Sequence, residues 1–214
     1  ANVYLHYVLD LWFEKCIKKQ LYGEAYLVRF ADDFLIMFQY ERDAQRVYEA
    51  IIKKMELFGL ELSKEKTRIL PFGRYSVSRE TFDFLGFTHF NSKTRKGYYS
   101  VGHKISRKKK KQFKSNLKKW VKKNRITQFD EFMKTLNKKL TGSFNYYSLS
   151  GMIKEVRNLW HHSLLLAFKW LNRRSQRRSF KLERLYEIWN DRIIHPYIHV
   201  DIWSDDKVIY NKNV

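Results

Sequence analysis

The chain has 214 residues, of which 44% are apolar, enough for one large domain or two small ones with packed cores. Eight glycines and two prolines are too few for a turn-rich all-β protein or a disordered one. The single cysteine, Cys16, excludes an internal disulfide and a multi-cysteine zinc site and fits a reducing, intracellular location. No apolar run approaches the roughly 18 residues of a membrane span, and no signal peptide is recognised.

The net charge of +21 is confined to the second part of the chain. Residues 1–92 hold 13 Lys and Arg against 13 Asp and Glu, whereas residues 93–214 hold the remaining 30 basic and 9 acidic residues. A change this abrupt predicts a domain boundary near residues 91–97 and a second domain that faces a polyanion. A charge that serves solubility alone is the alternative, although few soluble domains need such an excess of one sign.

The first 38 residues predict a helix followed by a β-hairpin. Apolar residues recur at helical spacing over residues 1–12, so the chain opens on an amphipathic helix, and its natural N-terminus is expected to lie upstream. Two short runs rich in aromatic and branched residues, 26–30 and 34–38, predict paired strands with residues 31–33 at the turn.

The next segment predicts a second helix and two more strands. An apolar stripe over residues 44–58 is typical of a helix, and Gly59 supplies its C-terminal stop. Strands are predicted around residues 67–70 and 82–90. The order to this point is α-β-β-α-β-β, an α+β layer.

Beyond Lys104 the apolar spacing is helical throughout. Four helices are predicted, over residues 113–121, 129–140, 153–171 and 182–189. Gly142 is expected to close the second of them. The predicted fold class is therefore α+β, with an antiparallel sheet and helices followed by an all-α bundle.

The chemistry of the sequence concentrates at Asp32 and Asp33. Two adjacent carboxylates between apolar strands cannot both enter a core, because an unpaired buried charge costs too much. A divalent cation would relieve their mutual repulsion, and Mg²⁺ binds carboxylate oxygens while keeping sites for phosphate and water. Two ions about 4 Å apart would stabilise the attacking and leaving oxygens of a phosphoryl transfer. Asp is also an ordinary turn residue, so the pair alone leaves both interpretations open.

Longer motifs resemble a known family. The stretches YLVRFADDFLIMF, GLELSKEKTRIL and FDFLGFTHF resemble the palm of reverse transcriptases, and ANVYLHYVLDLWFE resembles the segment after their template-contacting loop. LTGSFNYYSLSG and WLNRRSQRRSF resemble the thumb of bacterial group II intron maturases, so the resemblance runs from residue 1 to about residue 190. It implies that residues 1–92 are the C-terminal part of a palm, including the primer grip, and that residues 93–214 are a basic helical thumb that binds RNA.

In that family the aromatic-x-Asp-Asp hairpin carries two of three metal-binding aspartates. The resemblance implies that Asp32 and Asp33 are catalytic and bind two Mg²⁺ ions, with the third aspartate, the fingers and the template loop upstream of Ala1. Residues 1–214 alone are therefore expected to be inactive as a polymerase. Phe30 stands where the family usually has Tyr, a change that removes a hydroxyl, keeps the ring and should preserve catalysis. No Cys/His-rich endonuclease motif is found, as in compact intron proteins without an endonuclease.

The resemblance assigns further palm residues. Lys66 matches a region near the incoming triphosphate, where an ammonium would donate a proton to the leaving pyrophosphate, although a solvated surface lysine is the alternative. Arg29 is expected either to contact nucleic acid or to pair with a carboxylate. A primer grip, in which Gly86 would let the primer backbone approach closely, or else an ordinary buried strand, is predicted at Phe84, Leu85, Gly86 and Phe87.

Two clusters of cations predict how the second domain binds RNA. One helix would present a broad basic face to phosphates, carried by Lys104, Arg107, Lys108, Lys110, Lys114 and Lys118. Arginine side chains suit bidentate phosphate contacts and base stacking, and the second cluster consists of Arg173, Arg174, Arg177 and Arg178. The adjacent His161 and His162 cannot share one helical face, so we interpret them as structural or RNA-facing and not as zinc ligands.

Together these features predict an RNA-directed DNA polymerase of a group II intron that also binds intron RNA and assists splicing and mobility. The expected partners are the intron RNA, an RNA template with a DNA primer, deoxynucleoside triphosphates and, as an option, a second copy of the chain, with no membrane. A bacterial cytoplasmic location in association with the nucleoid or a ribonucleoprotein is expected. Two alternatives remain: a domesticated CRISPR-associated or phage-defence reverse transcriptase, and a non-catalytic RNA-binding splicing factor that keeps the palm as a scaffold.

Overall fold

The computed structural model describes residues 2–63, 65–174, 179–198 and 200. The chain forms two compact units, the first from Ala1–Leu85 and His89–Val101 and the second from Gly86–Thr88 and Gly102–Val214. Within the described ranges, no helix combines the length and the apolar character that crossing a membrane requires.

The first unit begins with a helical segment whose winding changes along its length. A short α1 (Asn2–Leu5) continues into π-helical turns at His6–Asp10 and Phe13–Ile17 and ends in a 3-10 turn at Lys18–Gln20. The predicted opening helix is therefore confirmed, with wider π turns in place of regular α-helix. Its apolar side is buried, and Leu9 has no exposed surface.

A two-stranded antiparallel hairpin follows, as predicted. Its strands are β1 (Ala25–Phe30) and β2 (Asp33–Phe38), and Phe30 pairs with Asp33 next to the turn. Asp33 thus belongs to β2, and the turn is one residue shorter than the sequence predicted. One face of the hairpin packs on the core of the unit and the other faces outward, because successive side chains of a strand point to opposite sides.

The helix α2 (Glu41–Leu57) completes the core of the first unit. It begins earlier than its apolar stripe because acidic residues in the first turn favour a helix N-terminus. One of them, Asp43, is buried and accepts hydrogen bonds from the backbone N–H groups of Tyr22 and Gly23, both at 3.0 Å. As predicted, Gly59 follows the helix with a φ of +66°. The buried core residues are Val8, Leu9, Val47, Ile51 and Met55.

The predicted strand at residues 67–70 is wrong. The backbone N–H groups of Lys66 and Thr67 both donate to the carbonyl of Ser63, at 3.0 and 2.9 Å, so a local turn uses the groups that a strand would offer. Pro71 follows directly and offers no N–H to a ladder. The segment therefore runs without regular secondary structure.

The predicted strand at residues 82–90 is in fact two strands. A three-stranded sheet has the order β3 (Thr81–Phe84), β4 (Phe87–Lys93) and β5 (Tyr99–Ile105). The sequence did not predict β5. Gly97, inside the segment where a boundary is expected, forms the turn between β4 and β5 with a φ of +84°.

The second unit is built around a helical bundle, as predicted. Its helices are α3 (Arg107–Asn124), α4 (Phe129–Tyr147), α5 (Ile153–Leu171) and α6 (Leu182–Arg192). Ser106 caps α3 by accepting a hydrogen bond from the backbone N–H of the helix's first turn. The largest fully buried side chains of the bundle are Trp189, Phe132 and Phe144.

The turn between β3 and β4 depends on a glycine. Leu85 and Gly86 have φ values of +50° and +82°, and positive φ at both positions suits a two-residue hairpin turn. We expect Gly86→Ala to destabilise the protein by about 1 kcal/mol, because an L-residue is strained at this φ. Crowding is not the cause, since an added Cβ would lie 3.4 Å from the nearest atom, in the flexible Lys109 side chain. Chemical denaturation measures the change.

Gly142 provides the matched control. The prediction that it closes a helix is wrong, because α4 continues past it to Tyr147 and one interior glycine costs only about 1 kcal/mol. An added Cβ at Gly142 would meet nothing within 4 Å. Gly142→Ala should therefore stabilise the protein by about 0.5–1 kcal/mol, and equal destabilisation by both substitutions would contradict this account.

Candidate functional site

The tip of the β1–β2 hairpin exposes two adjacent carboxylates. Asp32 lies in the turn and Asp33 opens β2, and both side chains are exposed. Strand alternation places Asp33 on the outward face of the hairpin together with Val28 and Phe30, whose exposed fractions are 43% and 65%. Among the described residues, no ion pair neutralises Asp32 or Asp33. The tip thus combines concentrated negative charge with an exposed aromatic ring.

A buried face of the hairpin holds this tip in place. Arg29 donates from Nε to Oδ1 of Asp10 at 2.7 Å and from Nη2 to Oδ2 at 2.6 Å. Its Nη1 donates to the backbone carbonyl of Ala31 at 2.8 Å. One guanidinium therefore ties the N-terminal helical segment to the turn that carries Asp32. Of the two roles expected for Arg29, the structure shows pairing with a carboxylate, and nucleic-acid contact stays a prediction.

The turn itself is strained. Ala31 has a φ of +55°, a left-handed conformation that costs a residue with a Cβ about 1 kcal/mol or more. The hydrogen bond from Arg29 to the Ala31 carbonyl is one contact that offsets this cost. We define the group of Asp10, Arg29 and Ala31 as the Asp10 clamp.

The clamp gives the stability of the protein a specific pH dependence. The Arg29 guanidinium holds the pKa of Asp10 below its usual value of 3.8, while burial acts in the opposite direction. A carboxyl group whose pKa is lowered by folding stabilises the protein above its unfolded pKa, and this contribution is lost as pH falls through the folded pKa. Since the Asp10 and Arg29 side chains are only 24% and 14% exposed, the contribution should exceed that of a surface pair.

We expect Asp10→Asn to lower the free energy of unfolding by about 1–2 kcal/mol at neutral pH, because a charge-assisted bidentate contact is lost. The difference from wild type should shrink as pH falls through the lowered pKa of Asp10, because the carboxylate is then protonated in the folded protein as well. Denaturation at neutral and at strongly acidic pH measures both effects. Glu14→Gln is the control, because its ion pair with Lys18 is exposed and should contribute under about 0.5 kcal/mol. A pH-independent loss in Asp10→Asn would contradict the charge-based account.

The paired carboxylates fit part of a divalent-metal site. Asp32 and Asp33 offer hard oxygen ligands, and small divalent cations are often held through one or two carboxylates together with substrate phosphates. In the part of the chain that the structure describes, no group of three or more Asp, Glu, His or Cys side chains is placed to hold a metal ion. The hairpin therefore offers two carboxylates, and a metal site there would need further ligands.

The remaining palm residues occupy varied surroundings. Lys66 is exposed at the turn after Ser63. Phe84 and Leu85, at the end of β3 and in the turn, are half-buried. Across the turn, Phe87 stacks on Tyr146 with ring centroids 5.5 Å apart and contacts Tyr147 edge-on. The backbone carbonyl of Gly86 accepts a hydrogen bond from the N–H of Ser106.

The basic face of α3 is a continuous stripe. Four residues at spacings of four and three lie on one side of the helix, and we call them the α3 stripe: Arg107, Lys111, Lys114 and Lys118. Arg107, Lys111 and Lys118 are exposed, and Lys114 is half-buried. Lys108 is exposed on an adjacent side of the same helix, and Lys104 precedes it at the end of β5. The stripe places one positive charge at each successive turn over about three turns of helix, so it offers regularly spaced contacts to a polyanion.

Lys110 has a different environment from the other predicted phosphate contacts. Its ammonium forms an ion pair with Glu155 of α5 at 2.8 Å, and both side chains are about two-thirds buried or more. Nearby, burial and the charge of Lys114 lower the pKa of His162. Lys110 thus links α3 to α5, and a phosphate contact would compete with that ion pair.

The arginines after α5 also differ from one another. Arg173 is exposed, and its guanidinium lies 5.4 Å from the centroid of Trp170. Arg174 is half-buried at 5.9 Å from the rings of Phe129 and Phe180, and burial lowers its pKa. Its packing therefore favours a structural role, and its phosphate contact stays a prediction. Arg177 and Arg178 lie outside the described residues.

A comparison with known protein families finds a match that includes the β1–β2 hairpin. Residues 1–89 match the family model described as reverse transcriptase (RNA-dependent DNA polymerase). No curated protein matches the chain. Residues 1–89 are thus similar to a reverse transcriptase domain with α+β structure, and a helical region follows them. This similarity supports a nucleotidyltransferase activity that uses a nucleic-acid template and nucleotide substrates.

Sequence reasoning missed three residues that the structure places at these surfaces. Asp10 completes the clamp, while Lys111 and Lys122 lie on the basic side of α3. Helical spacing from Arg107 could have found both lysines. Nothing in the sequence pairs Asp10 with Arg29, because they lie 19 positions apart on different elements.

Proposed function

We propose that this chain is the C-terminal part of the palm and the thumb of an RNA-directed DNA polymerase of a group II intron. The observation that carries the proposal is the match of residues 1–89 together with two exposed carboxylates at a hairpin tip. The motif resemblance beyond residue 89 supports the intron-encoded subtype. In this proposal the helical unit binds the intron RNA and assists its splicing.

The proposed reaction is attack of a primer 3′-hydroxyl on the α-phosphate of a deoxynucleoside triphosphate, which forms a phosphodiester bond, breaks the bond to the bridging oxygen and releases pyrophosphate. Asp32 and Asp33 would hold Mg²⁺ with a third aspartate from upstream of Ala1, and Mg²⁺ would neutralise charge on the phosphates. The Asp10 clamp keeps the carboxylates in place before substrate arrives, which lowers the cost of positioning. Phe30 offers its exposed ring to the nucleic acid beside the carboxylates. Lys66 would donate a proton to the leaving pyrophosphate.

The proposed RNA surface lies on the second unit. The first turn of α3 contains no acidic residue and begins with Arg107, Lys108 and Lys109. Cations at a helix N-terminus oppose the helix dipole and cost about 0.3–1 kcal/mol each. Their presence there conflicts with local stability, and such conflicts are expected at functional surfaces. Phosphates of an RNA would relieve it, because helix N-termini favour anions.

Metal-dependent primer extension by the full-length protein tests the proposal. Extension of a DNA primer on an RNA template, together with preferential binding and splicing of a group II intron RNA, is expected. Residues 1–214 alone should bind RNA and not extend the primer. Intron binding without extension would favour the non-catalytic splicing factor, and extension without any preference for intron RNA would favour the domesticated reverse transcriptase.

A further inference from the structure

A second group of cations surrounds one aromatic ring of the bundle. Lys122 and Arg125 lie at the end of α3, each with its charged group 5.6 Å from the centroid of Trp170. Arg173, which follows α5, approaches the same ring at 5.4 Å. Two helices therefore bring three positive charges to a single side chain.

A cavity of about 380 Å³ adjoins these charges. Its lining contains four cations and one apolar residue: Lys119, Lys122, Lys123, Arg125 and Ile126. The cavity is open to solvent, so it is a surface groove and not an enclosed site. Ile126 is 77% exposed, so an apolar surface stands beside the charges. We call the five lining residues with Arg173 and Trp170 the Trp170 pocket.

The charges of the pocket are not balanced within the described part of the chain. None of its cations forms an ion pair there. The nearest acidic residue along the chain, Asp130, pairs with Arg192 instead. A cation over a ring gains only about 0.5–1 kcal/mol at an exposed site, which offsets part of the mutual repulsion. The C-terminal carbonyls of α3 add about half a negative charge, well below the positive charge present.

We infer that the Trp170 pocket binds phosphodiester groups of a nucleic acid. The inference deepens the proposed RNA binding and rests on it. Arg125 and Arg173 suit bidentate phosphate contacts, and Trp170 holds their guanidinium groups in place. The pocket also continues the α3 stripe, since Lys122 follows Lys118 by one helical turn. A bound strand that follows α3 would reach the pocket at the end of that helix.

A charge-matched pair of variants of the 214-residue chain tests the inference. Lys122→Gln with Arg125→Gln removes two charges of the pocket. Lys154→Gln with Arg157→Gln removes one lysine and one arginine at the same spacing from α5, outside the pocket. The probes are a labelled RNA hairpin and an RNA–DNA hybrid duplex, each titrated over a range of salt concentrations.

The pocket variant should bind about 20-fold more weakly in about 0.1 M salt and flatten the salt dependence by about 1.5 log units per log unit, since each phosphate contact contributes about 0.7–0.9. The α5 variant should lose less than about threefold. If the pocket variant loses affinity only for the RNA hairpin, the pocket binds structured RNA. If it loses affinity only for the RNA–DNA hybrid, the pocket binds the template–primer duplex. If the two variants have equal effects, or neither has an effect, the inference about the Trp170 pocket is wrong, while the proposed RNA binding of the helical unit is unaffected. Failure of the wild-type chain to bind either probe overturns both.

Discussion

Asp32→Ala and Asp33→Ala should each reduce primer extension by at least about 10³-fold, because a metal-held carboxylate stabilises the transition state by several kcal/mol. The experiment uses the full-length protein. Binding of intron RNA should stay within about twofold of wild type, since the carboxylates belong to a part of the chain with no net charge and contribute no cation to phosphate binding. Single-turnover extension and filter binding measure the two effects.

Two controls separate loss of chemistry from loss of structure. Glu49→Ala removes an exposed carboxylate of α2 in the same unit and should leave extension unchanged. Thermal denaturation of the Asp32 and Asp33 variants should match wild type, because both side chains are exposed and no described ion pair depends on them. Retained extension by both aspartate variants would overturn the assignment of the hairpin as the metal site.

The hairpin could be predicted because its signals are local. Two apolar runs flank a short polar segment, and that pattern leaves few alternatives to paired strands. The β3–β4 turn gave no such signal, since the apolar run continues through it and Leu85 is an uncommon residue at positive φ. Two-residue hairpin turns usually contain Asn-Gly or Asp-Gly, and this turn contains neither. The split into two strands was therefore hidden in the sequence.

The residues of the candidate sites could be predicted only where they lie close together in the sequence. The carboxylates are adjacent, and three of the four α3 stripe residues belong to the basic cluster that the sequence predicts, so both could be singled out. The Asp10 clamp depends on how the π-helical turns orient Asp10 toward β1, a phase that regular helical spacing does not give. The environment of Lys110 likewise follows from a partner 45 residues away. Tertiary contacts of this kind set which of several equivalent charges are free for a ligand.

Neutralising the α3 stripe should weaken RNA binding without weakening the fold. Changing Arg107, Lys111, Lys114 and Lys118 to Gln should flatten the salt dependence by about three log units per log unit and lower affinity about 10³-fold in about 0.1 M salt. The free energy of unfolding should rise by about 0.5 kcal/mol, because Arg107 opposes the helix dipole and neighbouring lysines repel one another. Salt-titrated binding of an intron RNA and chemical denaturation measure these opposite changes.

The control removes the same number of charges from elsewhere on the bundle. Lys134, Lys138, Lys154 and Arg157 are exposed on α4 and α5, and their change to Gln again removes three lysines and one arginine. This variant should lose less than about tenfold in affinity, since only long-range attraction is reduced. If both quadruple variants lost affinity equally, binding would follow net charge alone. If the α3 variant kept wild-type affinity while folded, RNA would have to bind a different face of the bundle.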